Sequence, residues 1–124
     1  MNPFHTEILP NGLAVEFFDH SNRYFGDYWH LDLEVRCRVP LTAAGLEAAA
    51  LVAARQLLGE AVDYLRRMEK MGVATADVSS NRDLLVEGFL ASARLYLCHP
   101  SFPGRFVHRR LEEAQQSKRP YLAR

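Results

Sequence analysis

The segment Asp19-His20-Ser21-Asn22-Arg23-Tyr24-Phe25-Gly26-Asp27-Tyr28-Trp29-His30 gathers the side chains of this chain that are best suited to chemistry. A turn between strands needs only Gly, Asn, Ser or Asp, so a concentration of His, Arg and aromatic residues points to a site. His titrates near neutrality and Asp can orient an imidazole, which would allow His20 or His30 to act as a general base. Arg23 has the fork that grips a carboxylate or phosphate, and Tyr24, Tyr28 or Trp29 could stack on a planar ring. The candidate ligand-binding residues are therefore Asp19, His20, Arg23, Tyr24, Asp27, Tyr28 and His30, and the ligand they suit is small and anionic or aromatic. The competing expectation is a structured turn. In it Asp19 and Ser21 bond backbone N–H groups, Gly26 permits the reversal, and Phe25 and Trp29 plug the sheet edge.

Other chemistries find less support. His20, Asp27, His30 and Asp32 offer metal-ligand atoms, but their spacing matches no local metal signature, and neither metal nor cofactor is expected. There is no Gly-x-Ser-x-Gly elbow, and no Gly-rich loop to cradle phosphate ahead of a helix. Cys37 and Cys98 stand far apart inside apolar runs, and read as small apolar side chains rather than a disulfide or a nucleophile. Basic residues cluster late, at Arg105, His108, Arg109, Arg110, Lys118, Arg119 and Arg124, with Glu112 and Glu113 among them. Lys plus Arg equals Asp plus Glu at 15 each, so the formal net charge is zero. That balance argues against a protein whose task is gripping nucleic acid or an anionic membrane.

The elements that would position these residues fall in two halves. Glu7–Leu9, the turn Pro10-Asn11-Gly12 and Leu13–Phe18 read as a strand, a tight turn and a second strand. Tyr28–Val39 shows clear period-two alternation. Leu31, Leu33, Val35, Cys37 and Val39 share one face, and His30, Asp32, Glu34, Arg36 and Arg38 share the other, which should meet water or a partner. Pro40 ends that strand, having no N–H to give.

Apolar residues then recur with helical spacing from Leu46 to Met71, predicting one long helix stopped by Gly72, with Asp63 and Arg67 paired one turn apart. Ser80 with Asp83 resembles a capping box opening a second helix that reaches Cys98 and is apolar nearly all round, hence mostly covered. His99-Pro100-Ser101 breaks it. Pro103 opens a third helix to Ser117, with Phe106, Val107, Leu111 and Ala114 facing inward. The Ala-rich stretch Ala43–Ala54 would let another backbone approach closely, within the fold or across a dimer.

The expected fold is α+β: a small antiparallel meander of about three strands followed by three helices packed on one of its faces. With 124 residues, 48% hydrophobic and 24% charged, one domain is expected, with a β-meander over 1–41, a helical part over 42–118 and a frayed tail over 119–124. Met1–Glu7 carries no basic segment followed by an apolar one, so no secretory signal is expected. Leu46–Leu58, interrupted by Glu47, Arg55 and Gln56, falls short of the roughly 20 apolar residues of a membrane helix. The expectation is thus a cytoplasmic, non-catalytic interaction module that forms a homodimer or docks on a protein partner, since a neutral chain lacks the self-repulsion that would oppose either association. The alternative is a small-ligand or enzymatic domain with its site in the Asp19–His30 segment.

Overall fold

A computed structural model describes residues 1–117 of the chain, so the expected tail at 119–124 lies outside the described residues. The chain is α+β. Among the described residues five strands, β1 (His5–Ile8), β2 (Ala14–Asp19), β3 (Asn22–Phe25), β4 (Tyr28–Pro40) and β5 (Ala61–Ala74), accompany three helices, α1 (Ala48–Leu58), α2 (Val78–Leu97) and α3 (Phe102–Ser117). The expected meander is present, as β1, β2 and β4. β1 pairs antiparallel with β2, β2 with the middle of β4, and β3 with the start of β4. β5 also pairs with β4. Thr75 N–H donates to the Asp27 carbonyl (2.9 Å) and Leu41 N–H to the Glu60 carbonyl (3.0 Å), so β5 runs opposite to β4.

β5 corrects the sequence-based reading most. Leu46–Met71 is not one helix and 42–118 is not wholly helical: α1 ends at Leu58, and the chain returns as a 14-residue strand. Gly59 makes the break at φ +83°, ψ −154°, a backbone conformation that strains any residue with a Cβ. Gly72, expected to end the helix, lies inside β5 at φ +72°. The expected Asp63–Arg67 helical pair does not exist, because strand neighbours four apart do not meet. The Ser80–Asp83 capping box is absent too. α2 starts earlier, and the Ser80 hydroxyl and Asn81 amide instead donate to the Asp77 carbonyl at 3.1 and 2.8 Å.

By their contacts the described residues form two compact units. The first comprises Met1–Cys37 and Tyr64–Cys98. Its core is the face of β4 that the alternation marks, Leu31, Leu33, Val35 and Cys37, with Val15 and Phe17 of β2, all fully buried. α2 covers this face with Val86, Phe89, Ala93 and Leu97, and the Phe89 ring meets Phe17 edge-on at 5.8 Å. That single stripe is all α2 buries. Leu84, Leu95 and Tyr96 are exposed, so the helix is less covered than its composition predicts. Asn11 closes the β1–β2 turn onto α2, its amide donating to the Leu97 carbonyl at 2.7 Å. Cys37 is buried and Cys98 half-buried.

The second unit comprises Arg38–Asp63 and, of the described residues, His99–Ser117. Val39, Leu41, Ala54, Val62 and Val107 are buried there. α3 packs against α1 and against the 3₁₀ turn Leu41–Ala44. A Cβ at Gly104 would lie 3.3 Å from the Ala44 carbonyl oxygen, a tight contact that would ask this neighbour to move by a few tenths of an ångström.

Candidate functional site

The Asp19–His30 segment is a β-hairpin, not a loop. β2 ends at Asp19, and the Ser21 N–H bonds the Asp19 carboxylate (2.9 Å), while the Ser21 hydroxyl accepts the Asp32 N–H (2.9 Å). β3 then runs back along β4, with Asn22 opposite His30 and Arg23 opposite Trp29, and a register irregularity before Phe25. Gly26 makes the reversal at φ +54°. The structured-turn expectation thus describes the local geometry, although Phe25 plugs nothing and stands exposed.

The seven predicted site residues are dispersed rather than convergent. Asp19 bonds the Arg82 guanidinium of α2 at 3.2 Å, and that guanidinium also lies 4.8 Å over the Phe4 ring. Arg23 lies 5.5 Å over the Trp29 ring, and Trp29 donates from Nε1 to Thr75 Oγ1 at 2.9 Å. Asp27 contributes its backbone carbonyl, accepting from the Thr75 N–H and hydroxyl. Tyr24 and Tyr28 are exposed near the hairpin tip. Only His20 and His30 share a cluster, on the sheet face opposite α2.

That cluster is built by the alternation of β4. Asp32, Glu34 and Arg36 fall beside one another because a strand places every second side chain on one face. Arg36 donates to Glu34 at 2.6 Å, and its guanidinium covers the Phe18 ring at 4.8 Å, which keeps an apolar residue buried on an otherwise polar face. His20 meets the other Glu34 oxygen at 3.0 Å. From β5, Arg67 forks onto both Asp32 oxygens (2.9 and 2.6 Å) and reaches Glu34 at 3.5 Å. His30 Nε2 lies 3.5 Å from a Glu69 oxygen, and this nitrogen is shielded from solvent without a hydrogen-bond partner.

Arg67, Glu69 and Arg82 were not among the predicted site residues. The first two were hidden by the helical reading of Leu46–Met71. The signal that could have found them was Gly59, a helix stop inside the apolar pattern.

The electrostatics follow from this pairing. The Arg67 fork holds the Asp32 carboxyl below the ordinary aspartate range. Burial pushes Glu34 up, but hydrogen bonds from Arg36 and His20 outweigh it, and the carboxyl is lowered. Carboxylates so stabilised as anions are poor proton carriers near neutrality. His30, Asp32 and Glu69 present three ligand atoms within 4.8 Å of one another. A cation there would have to take Asp32 from Arg67, since both carboxylate oxygens are engaged. A separate open cleft of about 390 Å³ lies beside Arg82, between Phe4, His5 and the first half of α2.

Comparison of the chain with protein-family models, curated proteins and solved structures found no match. Among the described residues, no helix is long and apolar enough to cross a membrane.

Proposed function

We propose that this protein is a non-catalytic cytoplasmic module that works by protein–protein contact, associating with itself or docking on a larger partner. The observation that carries this reading is the character of β5. It is a 14-residue strand paired on the β4 side, with Leu65 and Met71 each 58% exposed and three exposed apolar side chains of α2 in the same unit. A long strand with an open edge and apolar flanks is a template for pairing with another chain. The charged cluster supports a binding role over catalysis, because Arg67, Arg36 and His20 already occupy its carboxylates.

Native mass spectrometry tests the reading. An integer multiple of the chain mass, or a retained protein partner, is the expected result. A monomer carrying a small extra mass that disappears on denaturation would overturn it in favour of a second reading, a small aromatic or anionic ligand held at the hairpin. That second reading draws on the exposed Tyr24, Phe25 and Tyr28 beside Arg23. It requires Arg23→Ala or His20→Ala to remove the extra mass while leaving the protein folded.

A further inference from the structure

We infer that the partner of β5 is β5 of a second copy of this chain, paired antiparallel about a two-fold axis at Met68; this rests on the self-association reading above. Side chains along β5 divide cleanly between its faces. Arg67 and Glu69 reach Asp32 and His30 on the polar face, so Leu65 and Met71 share that face by alternation. Tyr64 and Tyr96 share a hydroxyl–hydroxyl hydrogen bond, Lys70 bonds Asn81 at 2.6 Å, and Arg66 lies 5.8 Å over the Phe89 ring, all on the α2 side. A two-fold axis normal to the sheet pairs residues of the same face, which leaves few symmetric registers.

The register centred on Met68 engages every polar-face side chain from Leu65 to Met71, whereas centring on Leu65 would oppose Arg67 to Asp63 but leave Glu69 opposite Ala61 and Met71 opposite Gly59, outside the strand. Centring on Met68 sets Leu65 of each copy opposite Met71 of the other, joining the two most exposed apolar residues of the strand. It also sets Arg67 opposite Glu69, twice. Centring on Arg66 would oppose Asp63 to Glu69, centring on Arg67 would oppose that arginine to itself, and centring on Glu69 would oppose two glutamates. Directly opposite like charges destabilise a sheet, whereas opposite charges and apolar pairs stabilise it.

The chosen register also opposes Arg66 to Lys70, likewise twice, on the α2 side. Both cations are already turned onto their own helix, one over Phe89 and the other on Asn81. Beside Met68, a cleft of about 300 Å³ bordered by Leu84, Gly88 and Ser92 leaves room for the Met68 side chains of both copies. The small residues Gly88 and Ser92 also let a second backbone come near.

Cysteine cross-linking in a Cys98→Ser background tests the register, since directly opposite antiparallel residues lie within disulfide reach. Met68→Cys meets itself across the axis and should form a disulfide-linked dimer under mild oxidation. Leu65→Cys alone and Met71→Cys alone should not, whereas the two together in one chain should. Glu69→Lys should weaken dimerisation about tenfold by opposing Arg67 twice. Folding of each variant is checked by circular dichroism. A native dimer that cross-links through a single Leu65→Cys or Met71→Cys but not through Met68→Cys overturns the register while leaving self-association standing. A monomeric native mass overturns both, and leaves the edge to the strand of a different protein.

Discussion

Replacing Asp19 separates a residue that holds the fold from one that waits for a ligand. Its carboxylate accepts the Ser21 N–H at 2.9 Å and the Arg82 guanidinium at 3.2 Å, with Asp19 27% and Arg82 32% exposed. A hydrogen bond to a charged group contributes about 1.5–3 kcal/mol when shielded, and an exposed ion pair about 0.2–1 kcal/mol. The partial exposure places the Asp19–Arg82 coupling between these limits, at about 1 kcal/mol. Asp19→Asn also weakens the Ser21 bond, so that variant should lose about 1–2 kcal/mol in total. Arg82→Met keeps an apolar stem near the Phe4 ring and completes a double-mutant cycle. With a urea slope of about 2 kcal/mol per molar, the middle of the usual range, the Asp19→Asn midpoint should fall by about 0.5–1 M.

The effect also has a defined pH dependence. Burial raises the Asp19 carboxyl, but the Ser21 hydrogen bonds and Arg82 outweigh it and lower it below 3.8. The folded state therefore binds fewer protons than the unfolded state just below that value. The contribution of Asp19 is present in full above the unfolded pKa and is lost as pH falls through the folded one. Urea unfolding at pH 7 and pH 3 should show the difference between wild type and Asp19→Asn shrinking at the lower pH. A coupling indistinguishable from zero at pH 7, with Asp19→Asn as stable as wild type, would refute the structural role and return Asp19 to the candidate ligand residues.

Three further outcomes are expected. Phe17→Ala, at a fully buried ring set edge-on against Phe89, should cost about 3–5 kcal/mol by chemical denaturation. Gly59→Ala should cost about 1–3 kcal/mol because the backbone there sits at φ +83°, ψ −154°; a neutral effect would count against the helix-to-strand break at Leu58. Burial and the hydrogen bond with Tyr96 push the Tyr64 phenol up to about 12, so ultraviolet titration should show one tyrosine ionising late, and Tyr96→Phe should bring it down towards 10.

The meander of β1, β2 and β4 was legible because its signals are local. The alternation from Leu31 to Val39 marks a buried face whatever packs on it, and Asn11-Gly12 sets the turn between β1 and β2 without help from the rest of the chain. α2 and α3 were legible for the same reason, since a run of apolar residues at helical spacing followed by His99-Pro100 leaves little choice. β5 was not. Leu57, Ala61, Tyr64 and Met68 keep helical spacing beyond Gly59, and Arg66-Arg67 and Glu69-Lys70 break the two-residue period a strand would show.

What makes Ala61–Ala74 a strand is the open side of β4, where hydrogen bonds and the carboxylates of Asp32 and Glu34 outweigh a weak helical preference. The candidate site follows the same division. Residue types and the outward row His30, Asp32, Glu34 and Arg36 are written in the sequence. Arg67 and Glu69, the partners of that row, and Arg82, the partner of Asp19, lie more than 30 residues away along the chain, and only the pairing of β5 with β4 and the packing of α2 on the sheet bring such distant charges within reach.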